Sequence, residues 1–337
     1  MIELQNDRLE ISFPEVHKDA RMSIEFQRTL RIPDDGKIYP LPPKFGKFPL
    51  KRVEDYKTKV PKKWLKTGGL FFPMYQREAM WISLDLDGDD QMAVKIAVGK
   101  ICVVTGKPWK NELDKNEQDY CVVPDQNWID GINGGNGYVK QFVAMPLGSG
   151  YSIEEQVTGK AEFGGIQILV YHKKKKKILK LTKLEKEYSG FRSANMHKKF
   201  GICAMPNSTP KEMGISSGGK TKQKIVKYEG SYDDWDQTTY TRVYIRIVDP
   251  RTYKSITGED LPRSTMSAKT YSMCGFPWFD KYEENVEDVE KSTILSQVKS
   301  VKQIDKKKFA FQQQDDDTLE IKNVITTNPN EIKDGVW

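Results

Sequence analysis

Hydrophobic and polar residues alternate regularly over residues 21–32, where Met22, Ile24 and Phe26 lie on the same side. Because successive side chains of a β-strand point to opposite faces, this alternation predicts a long, half-buried strand. Further apolar or alternating runs predict strands over residues 92–104, 138–145, 165–172, 224–228 and 241–248. Gly-, Pro- and Asn-rich segments separate these runs, as is typical of connections between antiparallel strands.

Helical patterns are few. Two short ones cover residues 75–83 and 152–157, where Ser152 and Glu155 have the spacing of a capping box, and a longer one covers residues 281–303. Strands and helices do not alternate, so a doubly wound parallel sheet is not expected. The sequence therefore predicts a mainly β protein: an antiparallel β-sandwich or jelly-roll-like body with short peripheral helices and a C-terminal helix plus tail.

The composition changes towards the C-terminus, which divides the chain into two predicted parts. Residues 1–282 are expected to form the β-rich body, as a single domain or two packed sub-domains, and residues 283–337 the C-terminal helix and a partly disordered tail. Within the tail, residues 312–317 are a low-complexity run of glutamines and aspartates, followed by a short alternation at 319–325. A terminal Trp337 is costly to leave in water, so we expect the tail to dock on its own body or on a neighbouring copy.

The chain of 337 residues is 37% hydrophobic and 11% aromatic, which is enough for a sizeable core. No run approaches the roughly 18 apolar residues that a membrane span needs. The N-terminus also lacks the basic-then-apolar pattern of a signal peptide. We therefore expect no membrane span, and a location in the cytoplasm, an intracellular storage body or a vacuole.

Positive charge is concentrated in one block of the chain. Residues 172–227 hold sixteen Lys and Arg residues against three acids, whereas the rest holds 38 against 44. The block contains five consecutive lysines: Lys173, Lys174, Lys175, Lys176 and Lys177. Such a block is typical of a solvated loop, or of a surface that binds an acidic partner or a second copy. Nucleic-acid binding is not expected, because specific modules add aromatic residues at fixed spacing or a helix aimed at a groove.

Residues 214–221, GISSGGKT, match the phosphate-binding pattern G-x-x-x-x-G-K-[ST]. That chemistry needs a buried strand before the loop and a helix after it, and neither pattern flanks these residues. The same segment contains the nucleophile pattern G-x-S-x-G, again without the strand and helix that it requires. The three histidines have no metal-ligand spacing. We therefore predict no catalytic residues and treat both motif matches as fortuitous.

Four carboxylates within residues 85–90 make Asp85, Asp87 and Asp89 the candidate metal ligands. Hard cations such as Ca²⁺ prefer oxygen ligands, although the Gly and acid spacing of an EF-hand is missing. An exposed acidic turn explains the same residues. No cofactor is expected in the main interpretation, whereas the alternative is a small-ligand or calcium-binding β-sandwich that uses this turn together with residues 131–137.

The four cysteines show no C-x-x-C spacing, so a zinc ribbon or redox pair is not expected. Cys102 and Cys121 lie in strand-like runs and are predicted to be buried. Cys203 and Cys274 lie near Gly and Pro residues and are predicted to be exposed. We expect free thiols within each subunit, with the two exposed cysteines as candidates for a bridge between copies.

Ten short segments together resemble a poorly characterised soluble family of bacteria and fungi, over about residues 20–282. The segments are FQRTLRIPDDG (26–36), YPLPP (39–43), PMYQREAMW (73–81), AVGK (97–100), PDQNWIDG (124–131), QFVAMPLGSGY (141–151), EQVTG (155–159), GGIQI (164–168), ITGE (256–259) and GFPWFD (275–280). The resemblance extends to the fungal branch of that family, and it implies a protein that packs into intracellular crystals of the kind used in gravity sensing. Lys220-Thr221 and the acidic turn at 85–90 depart from the family pattern. If an enzyme of unrecognised type were present, its candidate acids in these segments would be Asp130, Glu155 and Asp280.

The resemblance implies, and the separated charges and the tail independently favour, a non-enzymatic structural protein that assembles with itself into oligomers or crystals. Assembly contacts are predicted at residues 173–177, Cys203, Cys274 and Trp337. A head-to-tail contact between unlike surfaces would propagate rather than close. The partner is therefore expected to be a second copy of the chain.

Overall fold

A computed structural model describes residues 1–17, 19–88, 90–174, 211–261, 266–281, 286–309 and 317–327. The strands within these residues are β1 (Ile2–Gln5), β2 (Arg8–Ser12), β3 (Arg21–Thr29), β4 (Ile38–Tyr39), β5 (Lys44–Lys47), β6 (Lys51–Arg52), β7 (Leu70–Pro73), β8 (Ala79–Leu86), β9 (Met92–Val98), β10 (Ile101–Cys102), β11 (Cys121–Val123), β12 (Trp128–Ile129), β13 (Gly131–Gly135), β14 (Tyr138–Pro146), β15 (Ile166–Lys173), β16 (Glu212–Lys222), β17 (Trp235–Val248), β18 (Trp278–Lys281) and β19 (Val324–Thr327). The α-helices are α1 (Lys62–Thr67), α2 (Ile153–Thr158), α3 (Pro250–Thr257), α4 (Ala268–Met273), α5 (Thr293–Gln297) and α6 (Val301–Phe309), with 3₁₀ turns at Val53–Tyr56 and Tyr232–Asp234.

Strands β1 to β17 belong to one large, mainly antiparallel sheet that folds over so that its two halves face each other. One half has the order β1-β2-β3-β8-β14-β16. The other half has the order β7-β17-β15-β9-β11. The halves join where β16 pairs with β17, Met213 lying opposite Ile247. The mainly β, sandwich-like architecture predicted from the sequence is therefore confirmed.

The main core lies between the two halves. Met22, Ile24 and Phe26 of β3 all have 0% exposure, which confirms the inward face predicted from the alternation. Across the core, Phe26 stacks on Phe72 of β7 with ring centroids 5.2 Å apart. Burial of each large apolar side chain stabilises the fold by about 1.5–3 kcal/mol.

Helices and loops cover the outer faces of the sheet. Trp64 of α1 and Tyr253 of α3 pack against Phe71, with ring centroids 5.8 and 6.1 Å away. On the other half, Val301 and Ile304 of α6 pack in a cluster with residues of β8 and β14. None of the described helices has the length and apolar character needed to cross a membrane.

The C-terminal region packs against the body in two places. Leu295 and Val298 lie in the main core, so the segment with α5 and α6 completes the body. Trp278 of β18 and Leu319 belong to a separate cluster with Leu30 and residues of α4. In that cluster β18 pairs in parallel with β19, and Phe279 of β18 bridges to Leu41 of the body.

Several local predictions are confirmed and two are wrong. The strands predicted at 138–145, 165–172 and 241–248 are present as β14, β15 and β17, and α2 begins with the predicted capping box at Ser152. The helix predicted at 75–83 is wrong, because Met80, Ile82 and Leu84 alternate into the core and form β8. The strand predicted at 224–228 reduces to one bridge at Val226.

The predicted C-terminal helical region is present, but residues 281–303 do not form one continuous helix. Helix α5 ends at Gln297, and Val298 then adopts an extended conformation with φ −65° and ψ 121°. Helix α6 begins three residues later, at Val301. The short turn between the two helices shapes the surface on either side of it.

Candidate functional site

Of the five lysines predicted as assembly contacts, the structure describes two, and one of these is buried. Lys173 is buried: its amino group donates to the Oε1 atom of Gln91 and lies 5.5 and 5.7 Å from the ring centroids of Tyr228 and Trp235. The prediction that Lys173 contacts a second copy is therefore corrected, because a side chain held among aromatic rings is not available to a partner. Lys174 is exposed. Lys175, Lys176, Lys177, Cys203 and Trp337 lie outside the described residues.

Three lysines in the described part of the basic block have partners within the same chain. Lys222 forms an ion pair with Asp280, and Lys227 one with Glu287, with N–O distances of 2.9 and 2.8 Å. Lys224 donates to the carbonyl oxygen of Val286 at 2.9 Å. The acids that complement these lysines thus come from the C-terminal segment, which weakens the argument that this part of the block pairs with another copy.

The described thiols lie where they were predicted. Cys102 and Cys121 are buried, and Cys274 is exposed. Burial raises the pKa of Cys121 to about 12 and also raises the pKa of Cys102. Since the thiolate is the reactive form, the buried pair is protected and Cys274 remains the accessible thiol among the described cysteines.

The acidic turn does not form a described metal site. Asp85 accepts a hydrogen bond from the hydroxyl of Ser83 at 3.0 Å and lies 3.8 Å from the guanidinium of Arg8. Asp89 lies outside the described residues, and nowhere in the described part of the chain do three His, Cys, Asp or Glu side chains come close enough to hold a metal ion. Residues 131–135, predicted as a loop of the same site, form β13 instead.

The residues of the candidate catalytic motifs lie in a strand or contact other residues of the fold. Residues 214–221 lie within β16, a strand without the loop-to-helix geometry that a phosphate-binding loop needs. Asp130 accepts a hydrogen bond from the indole of Trp128 at 2.7 Å, Glu155 belongs to the capping box of α2, and Asp280 pairs with Lys222. Each of the three acids therefore has a separate structural partner.

A surface that the sequence did not single out lies at β19. This strand pairs with β18 on one side, and no strand among the described residues pairs with its other side. Val324 and Ile325 are adjacent, so their side chains point to opposite faces, yet they are 44% and 45% exposed. An edge strand with free backbone groups and apolar residues on both faces is a template for pairing with another strand.

Further apolar side chains lie beside this edge. The amide of Asn323 donates to the carbonyl oxygen of Gly275 at 2.9 Å, which places the end of α4 next to the start of β19. Met273, the last residue of α4, is 80% exposed, and Phe276, in the connection from α4 to β18, is 45% exposed. We call Met273, Phe276, Val324 and Ile325 the apolar edge. The alternation at 319–325 was the available sequence signal, but the exposure of its last residues depends on how the strand docks.

Comparison with known proteins adds no family: no family model matches the chain, and no curated protein and no solved structure is significantly similar to it.

Proposed function

We propose that this protein is a non-enzymatic structural protein that self-associates, with β19 of one copy pairing with β19 of a second copy. The observation that carries the proposal is the side of β19 with which no described strand pairs, together with the exposure of Val324 and Ile325 on the two faces of the strand. Two-stranded sheets are marginal on their own, so a further strand would stabilise the pair formed by β18 and β19. Pairing would also remove the exposed apolar side chains from water.

A second copy is the occupant that the features of this edge favour. The segment Val-Ile-Thr-Thr of β19 consists of β-branched residues, which fit a pleated sheet. An antiparallel pair of identical strands is related by a two-fold axis, so each copy supplies the same surface to the other. The resemblance inferred from residues 20–282 favours self-association in general, whereas the choice of β19 depends on its exposed edge, since β19 lies outside those residues.

Growth beyond a dimer requires a second contact, because a two-fold contact closes on itself. Cys274 is exposed and lies one residue beyond the apolar connection at Met273. We propose that Cys274 and the tail ending in Trp337 supply contacts of this second kind, from which a lattice or storage body would be built.

Sedimentation velocity over a hundredfold range of protein concentration tests the proposal. The native chain is expected to shift from monomer to dimer, and Ile325→Lys is expected to shift this transition to higher concentration, since a lysine on an edge strand opposes pairing. Leu65→Lys is the matched control, because Leu65 is an exposed leucine (39%) on α1, away from β19.

Two outcomes would contradict the proposal. A native chain that stays monomeric at every concentration would show that the edge is covered by the chain's own tail or is left free. An equal loss of association in Ile325→Lys and Leu65→Lys would show that the contact is elsewhere.

A further inference from the structure

The turn between α5 and α6 separates two clefts on the surface of the body. Their volumes are about 550 and 530 Å³. Gln297, Val298, Lys299 and Lys307 line both, so the clefts lie side by side across one short turn. Volumes of this size match those of small-molecule sites, which span about 300–1,000 Å³.

Five lysines line these clefts: Lys140, Lys220, Lys299, Lys307 and Lys308. Among the lining residues that the structure describes, Asp34 is the one acid, and it accepts a hydrogen bond from the hydroxyl of Ser300. Within the described part of the chain, none of the five lysines forms an ion pair with a carboxylate. Lys222 and Lys227 of the basic block, in contrast, each form one. The clefts therefore carry positive charge that the described residues leave unbalanced.

The lysines also approach one another. The amino groups of Lys299 and Lys307 lie close together, and the repulsion between the two positive charges lowers the pKa of Lys299. Burial lowers the pKa of Lys140; the carboxylate of Asp34 opposes this shift, and the positive charges of Lys220 and Lys291 add to it. Like charges held together repel, so an anion placed among these groups would relieve the repulsion and gain charge-assisted hydrogen bonds.

Two of the lysines are held on the sheet rather than on flexible loops. Lys140, on β14, donates to the carbonyl oxygens of Leu295, Ser296 and Val298 at 3.1, 3.4 and 2.9 Å, at the C-terminal end of α5. Its three N–H groups are thus engaged, and it contributes positive charge to the cleft rather than a free donor. Lys220, on β16, lies over the ring of Tyr138 with its amino group 5.0 Å from the centroid. Side chains fixed in this way lose little conformational freedom when a ligand binds.

We infer that these paired clefts, referred to below as the lysine clefts, bind a small anion that carries several phosphate groups. Ammonium groups are compact point charges suited to phosphate. The lysines converge on two open clefts around one turn, whereas a nucleic-acid backbone requires positive charge along an extended path. Lys220 is the lysine of the motif at 214–221. It lines the proposed anion site from strand β16, and not from a phosphate-binding loop.

Isothermal titration calorimetry with inorganic tripolyphosphate tests the inference on the full chain. We expect saturable binding, weakened about tenfold or more in the double variant Lys299→Gln/Lys307→Gln, because charged hydrogen bonds contribute most of the affinity. The double variant Lys62→Gln/Lys63→Gln, which removes two exposed lysines of α1, is the matched control and should bind as the native chain does. Sulfate at equal ionic strength distinguishes a multiply charged ligand from any anion.

Each remaining outcome decides against the inference. No saturable heat in the native chain, or equal weakening in both double variants, would mean that the lysine clefts hold no anion site. Tighter binding of a single-stranded oligonucleotide that is lost in Lys299→Gln/Lys307→Gln would assign the clefts to nucleic acid instead. Thermal unfolding serves as the check on folding: removing a repulsive contact should leave the midpoint of Lys299→Gln/Lys307→Gln unchanged or raised.

Discussion

The carboxylate of Asp305 attaches α6 to the body, and its removal should be strongly destabilising. Asp305 is 1% exposed. Its Oδ1 atom accepts a hydrogen bond from the hydroxyl of Tyr151 at 2.7 Å, and its Oδ2 atom lies 2.9 Å from the guanidinium of Arg77. Burial and the nearby carboxylate raise the pKa of Tyr151 to about 12, so the hydroxyl remains a donor over the whole ordinary pH range.

The change Asp305→Ala leaves Arg77 and the hydroxyl of Tyr151 without their common acceptor. Removal of one partner from a fully buried ion pair costs about 3–5 kcal/mol. The side chain of Arg77 is 16% exposed, so water compensates part of the loss. We therefore expect the free energy of unfolding to fall by about 3 kcal/mol in Asp305→Ala. In Asp305→Asn, which keeps an acceptor for Tyr151, the fall should be about half as large.

Urea unfolding measures these differences, with Lys306→Ala as the matched control on the same helix, since Lys306 is exposed. The triple variant Arg77→Met/Tyr151→Phe/Asp305→Leu replaces the ion pair and the hydroxyl that depends on it by apolar side chains, and it should recover most of the stability, because no charge and no unpaired hydroxyl is left buried. Equal stability of Asp305→Ala and Lys306→Ala would refute the argument. It would show that α6 is held by its apolar side chains alone.

Three further predictions concern local chemistry. Iodoacetamide at pH 9 should label Cys274 quickly, and Cys102 and Cys121 only after unfolding, since raised pKa values keep the two buried thiols protonated. Mass spectrometry of the labelled peptides measures this, and fast labelling of Cys121 in the folded chain would contradict it. Ser152→Ala removes the capping box of α2 and should lower the free energy of unfolding by about 1 kcal/mol in urea, with Ser152→Thr retaining most of it. Burial raises the pKa of Glu154 above 4.5, so the folded chain binds a proton at this carboxyl more readily than the unfolded chain does. As the pH falls through the folded-state pKa, the free energy of unfolding of the native chain should therefore rise relative to that of Glu154→Gln. A difference between the two chains that does not change with pH would contradict this.

The body could be predicted from the sequence where one local pattern decides the structure. The alternation of β3 predicted which side chains lie in the apolar core, because successive side chains of a strand point to opposite faces. The expectation that this strand is half-buried is wrong, since Ser23 and Thr29 on its polar face are also 0% exposed. The helix predicted at 75–83 failed because a short apolar segment fits both a helix and a strand, and pairing with β3 decides between them. The division of the C-terminal helical region at Val298 likewise depends on tertiary packing, since Val298 lies in the main core.

The candidate sites were much less predictable than the fold. Lys173 was interpreted as surface charge, yet aromatic side chains from the segment before β17 and from its first residue enclose it. The lysine clefts combine residues of β14, β16 and α6 that are far apart in the chain, so no spacing reveals them. The apolar edge could not be predicted for the same reason: the exposure of Ile325 depends on which strands lie next to β19, and the sequence does not show this.

The two proposed interactions have opposite physical origins, and added salt should therefore separate them. Pairing through the apolar edge depends on backbone hydrogen bonds and on the burial of side chains such as Ile325, neither of which is screened by ions. Binding in the lysine clefts depends on exposed and half-buried ammonium groups, whose attraction is screened beyond about 10 Å at 0.1 M salt and beyond about 3 Å at 1 M. Raising NaCl from 0.1 to 1 M should consequently weaken tripolyphosphate binding while leaving the dimer measured by sedimentation in place. Loss of the dimer at 1 M NaCl, with Ile325→Lys and the native chain behaving alike, would mean that charged groups such as Lys174 hold the copies together, as the sequence pattern alone had indicated.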